Sequence, residues 1–136
     1  MQDRPSVREL LDAVRAFLEE DVVPALDGPR QFHARVAANV LAIVGRELAG
    51  EEASLFAEWQ RLAQLLGGAS EPPPRLEALR AALREGTAAL AERIRCGEAD
   101  AGPFRAAVRA HLRATVEDKL RVANPRFLGA AGRTTR

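Results

Sequence analysis

Apolar residues recur along the chain at spacings of three and four, which is typical of helices that bury one side. The first such stripe comprises Val7, Leu10, Leu11, Val14, Phe17 and Leu18. Ser6 and Glu9 have the spacing of a capping box, which predicts a helix over about 6–22. Because the residue before a proline resists helical geometry, Pro24 is expected to stop or kink this helix near 21–23.

Two further helices are predicted on either side of Gly50. Pro29 suits a first helical turn, so the second helix is expected over 29–49, with Gly50 ending it. This helix is apolar around most of its circumference, which is typical of the middle of a bundle. The two glutamates after Gly50 suit the start of a third helix over 52–66.

The segment 67–74 is the one clear linker, because its run of prolines is excluded from a helix interior. After it, apolar positions continue through Gly86 without a break in phase, which predicts one helix over 75–96. Glycine inside a helix costs up to about 1 kcal/mol against alanine. Gly86 is therefore tolerable if a neighbouring helix packs close to it.

The fifth helix is predicted over 103–122, between a Gly-Pro pair and Asn124-Pro125. Its apolar residues stand at strict spacings of four, at Phe104, Val108, Leu112, Val116 and Leu120. No segment alternates as a strand does. The sequence therefore predicts an all-α fold, a single-domain bundle of about five helices over 1–136, with a flexible basic tail at 128–136.

Length and composition agree with one such domain. The chain has 136 residues, 47% of them hydrophobic, which is enough for a core without disulfides or metal. The single cysteine, Cys96, fits a reducing compartment. The longest nearly apolar run, 36–44, is too short to cross a bilayer. We therefore expect a cytoplasmic protein without membrane partners.

Net charge is +1, which argues against nucleic acid as a partner. The total hides an asymmetry, because residues 1–101 carry twelve basic and seventeen acidic side chains, and 102–136 carry eight and two. The C-terminal excess is either a solvated surface or a basic site for an acidic partner or phosphate. Charge runs usually solvate a surface, so the first interpretation is favoured.

Signatures of catalysis and of cofactor binding are missing. The sequence has no glycine-rich phosphate loop, no nucleophile elbow and no paired cysteines or histidines at metal-binding spacing. His33 and His111 are distant along the chain. His33 is expected to pack locally in the first turn of its helix, with a ligand role as the alternative. We expect no metal, no cofactor and, more readily than an enzyme, a non-catalytic protein.

The last predicted helix carries a polar row, His111, Thr115 and Lys119, at spacings of four. Lys119 is the only lysine and is predicted to lie near the centre of the apolar stripe. One interpretation is that its methylenes cover the core while its ammonium reaches solvent. The other is a partly buried cation that meets a carboxylate or an anionic ligand between helices.

Three segments, 10–28, 32–48 and 110–127, resemble an uncharacterised bacterial domain-of-unknown-function family of small helical proteins. The resemblance spans nearly the whole chain and matches only loosely over 51–100. Its motifs are R-V-A-x-N in the second helix and N-P-R-[FY] after the fifth. They supply further candidate binding residues at Arg35, Asn39, Asn124 and Arg126.

Members of that family are encoded beside, or fused to, aminoglycoside-phosphotransferase-like kinases, and acyl-CoA dehydrogenases are common neighbours. The resemblance therefore implies a kinase-like phosphotransferase or an acyl-CoA dehydrogenase as partner, and it assigns no catalytic residue. The resemblance also implies one shared purpose for three residues, Lys119, Asn124 and Arg126. They either tie the C-terminus onto the bundle, with Phe127 folded back as an apolar latch, or form an interface. We favour the latch.

Two classes of function remain open. The first is an accessory interaction module that docks onto a kinase-like partner in acyl-CoA metabolism, or that forms a homodimer. The second is a small-ligand-binding domain for an anionic or acyl group. An exposed apolar patch with no cavity favours the first class, and a cavity bounded by His33, His111 and Lys119 favours the second.

Overall fold

A computed structural model of the chain describes residues 4–68 and 71–131, and within them every regular element is helical. These are α1 (Val7–Phe17), a π-helical segment (Leu18–Val22), α2 (Val23–Ala25), α3 (Gly28–Leu66), α4 (Leu76–Arg95), α5 (Gly102–Ala123) and α6 (Pro125–Ala131). The predicted all-α fold is confirmed. The chain forms two compact units, which divide between Gly50 and Glu51.

The first helix begins as the capping box predicts. The Ser6 N–H donates to Glu9 Oε2 at 2.7 Å, and the Glu9 N–H donates to Ser6 Oγ at 3.3 Å. These bonds satisfy amides that a helix start leaves without partners. Hydrogen bonding to Ser6 also lowers the pKa of the exposed Glu9 carboxyl.

Pro24 was expected to stop or kink the helix near 21–23, and the helix does not stop there. Instead the backbone widens into π geometry over Leu18–Val22, and the Val23 N–H bonds the Leu18 carbonyl five residues back. Pro24 then sits in the first turn of α2, where a missing N–H costs no helical bond. The helical path ends at Leu26, which is extended.

The break predicted at Gly50 is wrong, because α3 runs through it as one helix of 39 residues. A glycine ends a helix by adopting a positive φ. Gly67 does so, with φ of 69°, whereas Gly50 is not among the positive-φ glycines. The predicted helices over 29–49 and 52–66 are therefore the two halves of α3.

In the second unit, α4 runs in the same direction as the second half of α3. Three contacts establish this: Glu51 with Arg80, Leu62 with Gly86, and the Leu65 carbonyl with Arg93. A parallel neighbour requires the connection to return along α3. The segment 67–75 spans up to about 30 Å when extended, which suffices for the roughly 22 Å rise between Glu51 and Leu66.

Helix α4 is continuous through Gly86, as predicted, and Gly97 with φ of 86° follows its end. A short turn leads to α5, which starts at Gly102. The Arg93 guanidinium lies over the Phe104 ring, 4.1 Å from the ring centroid, and donates to the Leu65 carbonyl at 3.4 Å. Arg93 thus joins α3, α4 and α5 at one end of their common core.

That core belongs to the second unit, and its buried apolar members are Trp59, Leu62, Leu79, Leu83, Leu90 and Val108. In α5 the inward seam is Phe104, Val108, His111, Thr115, Asp118 and Val122, at alternating spacings of four and three. Leu112 and Val116 of the predicted stripe are exposed. A stripe of strict fours drifts about 40° per step around a helix, so its middle leaves the core.

The C-terminal region corrects two expectations. Helix α5 ends at Ala123 as predicted, but Pro125–Ala131 form the short helix α6, so the first part of the predicted flexible tail is helical. Phe127 is 57% exposed, so it is not a latch folded onto the bundle. Residues 132–136 lie outside the described part of the chain.

Candidate functional site

The first unit contains a helical hairpin, formed by 7–25 and residues 28–50 of α3. One end is marked by Ser6, Arg8 and Leu11, which line the same pocket as Gly45 and Ala49. The other end is marked by Gln31, whose side-chain amide donates to the Val23 carbonyl at 3.1 Å. Early residues of α1 therefore meet late residues of α3, and the two helices are antiparallel.

Small residues form the side of α3 that meets α1. Ala34 and Ala38 are buried, and they share a helical side with Gly45 and Ala49, which line the pocket against α1. The fully buried residues are small, so the hairpin buries little large apolar surface of its own, and no residue of α1 is buried.

The larger apolar side chains of the hairpin are exposed. Nine of them, each between 39% and 63% exposed, are Val7, Leu10, Val14, Phe17, Phe32, Val36, Val40, Val44 and Leu48. The sequence predicted the stripe of α1 as a core face and α3 as the middle of a bundle. In the described first unit most of these residues face outwards, whereas Leu11 and Leu18 of the α1 stripe are half-buried.

Helical phase puts most of these residues on one side of the hairpin. At about 100° per residue, the α1 stripe points about 90° away from the contact with α3. Val40, Val44 and Leu48 turn towards that same side, where Val7 and Leu48 line one pocket. Phe32 and Val36 turn away. We call the shared surface the hairpin face, and it comprises Val7, Leu10, Val14, Phe17, Val40, Val44 and Leu48.

The hairpin face has the composition of a buried surface. A helix with an apolar stripe gains stability only when that stripe packs against another element. In soluble proteins, a contiguous apolar patch larger than roughly a few hundred Å² marks an interaction site. The spacing of Val7, Leu10, Val14 and Phe17 is three, four, three, which is the seam that another helix packs against.

A second feature, in the second unit, is a polar cluster between α3 and α5. It consists of Glu58 and Arg61 of α3 with His111, Thr115 and Asp118 of α5. The Arg61 Nη2 donates to Asp118 Oδ2 at 2.8 Å, and Arg121 also binds Asp118. The cluster replaces apolar packing along the middle of the α5 seam.

Three atoms of this cluster are buried without a hydrogen-bond partner among the described residues: Arg61 Nε, His111 Nδ1 and Thr115 Oγ1. His111 is only 6% exposed. Burial lowers the pKa of its imidazole below the usual 6.5, with Glu58 acting in the opposite direction and Arg61 in the same one. The structure thus holds a neutral histidine beside a charged guanidinium.

The residues predicted as candidates are divided between the two units. His33, Arg35 and Asn39 are exposed on the first half of α3. In the second unit His111 and Thr115 face inwards, whereas Lys119, Asn124 and Arg126 are exposed. Lys119 was placed near the centre of a buried stripe, and that position is wrong, because the seam of α5 passes through Asp118 instead.

Sequence reasoning missed Glu58, Arg61 and Asp118. The signal was present, because Asp118 stands seven residues after His111 and continues the seam that begins at Phe104 and Val108. It was overlooked because the apolar stripe of strict fours, from Phe104 to Leu120, was taken as the core face. Arg61 and Glu58 gave no signal, since which side of α3 meets α5 depends on tertiary packing.

The described ranges lack both a metal-binding cluster and a helix able to span a membrane. Among residues 4–68 and 71–131, no group of three His, Cys, Asp or Glu side chains is arranged to hold a metal ion. None of the helices described there has both the length and the hydropathy that a membrane crossing requires.

Comparison with known proteins identifies a family and no individual relative. A family profile described as Domain of unknown function (DUF6285) matches residues 24–127, from Pro24 through Phe127. Comparisons with curated proteins and with solved structures find no match to the chain. The matched region covers all of α3, α4 and α5, and α1 lies before it. The chain therefore belongs to the DUF6285 family of domains of unknown function.

Proposed function

We propose that the protein is a non-catalytic interaction module, and that the hairpin face is the surface through which it associates with another polypeptide. The observation that carries the proposal is the exposure of seven large apolar side chains on one side of a hairpin whose fully buried described residues are alanines. A contiguous exposed apolar patch is typical of an interaction surface.

The proposed partner is a second copy of the chain or a protein encoded beside members of the family. The resemblance suggests a kinase-like phosphotransferase active in acyl-CoA metabolism, or an acyl-CoA dehydrogenase. We also propose that this protein is bacterial and cytoplasmic. The exposed positions of His33 and Lys119 support a non-catalytic role, because exposed side chains in isolation are poor catalysts.

The test uses two double variants with matched chemistry. Leu10→Gln/Val14→Gln, the hairpin variant, changes residues that are 52% and 50% exposed. Leu112→Gln/Val116→Gln, the α5 variant, changes the same residue types at the same spacing, 47% and 54% exposed, in the second unit. Glutamine preserves helix propensity in both.

Affinity capture is then run with the three tagged chains, against a differently tagged second copy and against each purified candidate partner. The wild type and the α5 variant should retain the partner, and the hairpin variant should lose at least nine-tenths of it. Equal capture by all three chains would reject the hairpin face as the interaction surface.

The polar cluster supports a second candidate, the binding of a small anionic or acyl group. The Arg61 guanidinium and the Thr115 hydroxyl can donate hydrogen bonds to an anion, and both have buried atoms without partners. Thermal melts with inorganic phosphate, acetate and coenzyme A test it. A rise in midpoint that Thr115→Val abolishes would support a ligand site, and no rise at millimolar concentration would exclude it.

A further inference from the structure

The proposed function leaves open which polypeptide covers the hairpin face. We infer that it is a second copy of this chain, packed face to face through the α1 seam and the last turns of the hairpin half of α3. This inference rests on the proposed function and names its partner. The arguments are the spacing, the charge and the area of the face.

Spacing indicates that the occupant is a helix. Val7, Leu10, Val14 and Phe17 repeat as the first and fourth positions of a heptad. Side chains at such positions insert between those of a facing helix with the same repeat. The hairpin presents that repeat itself, so a second hairpin supplies the complementary surface and completes a four-helix arrangement.

Charge permits self-association. A two-fold interface places the same surface on both copies, so any charge at its centre would lie near its own equivalent. The seven residues of the hairpin face are uncharged. The charged side chains of α1 are paired along the helix instead, with Arg15 contacting Asp12 at 3.6 Å and Glu19 at 3.1 Å.

The area of the face meets the requirement of a stable dimer. Seven Val, Leu and Phe side chains at about half exposure present roughly 600 Å² per copy, so two copies bury on the order of 1,200 Å². Specific interfaces bury about that much or more. Interfaces between identical chains are also more apolar than the rest of a protein surface, and this face is apolar throughout.

Light scattering after size exclusion, on the full chain at micromolar concentration, tests the inference. The wild type and the α5 variant should each show a molar mass twice the 14.7 kDa of one chain. The hairpin variant should show the molar mass of one chain. Val40→Gln/Val44→Gln, which changes the α3 part of the face, should do the same.

Folding is monitored in the same samples. Trp59, the only tryptophan, is buried in the core of the second unit, so its emission reports whether that unit is folded. A monomeric wild type, or a hairpin variant that still dimerises, would overturn the inference. If the wild type is monomeric and only the hairpin variant loses a different captured partner, the proposed function stands and the second copy is excluded.

Discussion

Leu62 Cδ2 lies 2.7 Å from the position that a Cβ atom on Gly86 would occupy, and Leu62 Cγ lies 3.3 Å from it. Leu62 is only 2% exposed, so its side chain has little room to move. The glycine therefore marks a place where α3 packs closely against α4 in the core. This explains why a helix-disfavouring residue stands in the middle of α4.

Gly86→Ala is expected to lower the free energy of unfolding by about 1 kcal/mol. Overpacking a core costs about 1–3 kcal/mol, which outweighs the gain of up to about 1 kcal/mol in helix propensity. Gly45→Ala is the control, because a Cβ there meets nothing within 4 Å. It should raise the thermal midpoint, whereas Gly86→Ala should lower it. Equal rises in both would contradict the close approach.

Asp118→Asn should destabilise the protein by about 1–2 kcal/mol, because it removes the charge that pairs with partly buried Arg61 and leaves that guanidinium beside His111. The matched control is Glu117→Gln, since Glu117 lies 4.0 Å from an arginine side chain that is 83% exposed. Exposed pairs contribute less than about 1 kcal/mol. Urea unfolding followed by Trp59 emission measures both. A control effect as large as that of Asp118→Asn would refute the cluster's role.

His111 should make the protein less stable in mild acid. Burial lowers the pKa of the folded-state imidazole below 6.5, so the unfolded chain takes up a proton first as the pH falls. The stability that neutral His111 provides is present above about pH 6.5 and is lost as pH falls through the folded-state pKa. Glu58 and Arg61 face the ring and set how far below 6.5 that pKa lies.

His111→Leu should therefore flatten the loss of unfolding free energy between about pH 7.5 and pH 5. His33→Gln removes the other histidine and retains His111, so its profile should keep the decline. Urea titrations at five pH values give the comparison. A decline as steep in His111→Leu as in the wild type would rule out His111 as its source.

Lys119→Met and Lys119→Arg should each change the free energy of unfolding by less than about 0.5 kcal/mol. Lys119 is exposed, and no carboxylate of the described residues lies within ion-pair distance of its ammonium. Thermal melts suffice as the measurement. A loss approaching 3 kcal/mol in either variant would show that Lys119 neutralises a buried charge or holds a ligand.

Local rules predicted the helices of this chain well and predicted their packing less well. The capping box at Ser6, the phase through Gly86 and the stop at Asn124 depend on interactions within a few residues, so the sequence carries them. The predicted helix end at Gly50 was wrong, because a glycine ends a helix only if it adopts a positive φ. No local interaction required a positive φ at Gly50, so the helix continues through it.

The inward face of α5 shows the other limit. An apolar stripe of strict fours was taken as the core face, but the seam of alternating fours and threes passes through His111, Thr115 and Asp118. Asp118 is half-buried there, where Arg61 of α3 supplies its partner. A single sequence does not reveal which distant helix provides that partner.

The most direct test of the central claim is amide hydrogen exchange across Val7–Phe17 in the wild type, the hairpin variant and the α5 variant. A helix without buried side chains opens readily, whereas one covered by a partner is protected. Exchange in α1 should be slow in the wild type and the α5 variant and at least tenfold faster in the hairpin variant, while α4 stays protected in all three. Equally fast exchange of α1 in all three chains would show that nothing covers the hairpin face, and would contradict the account.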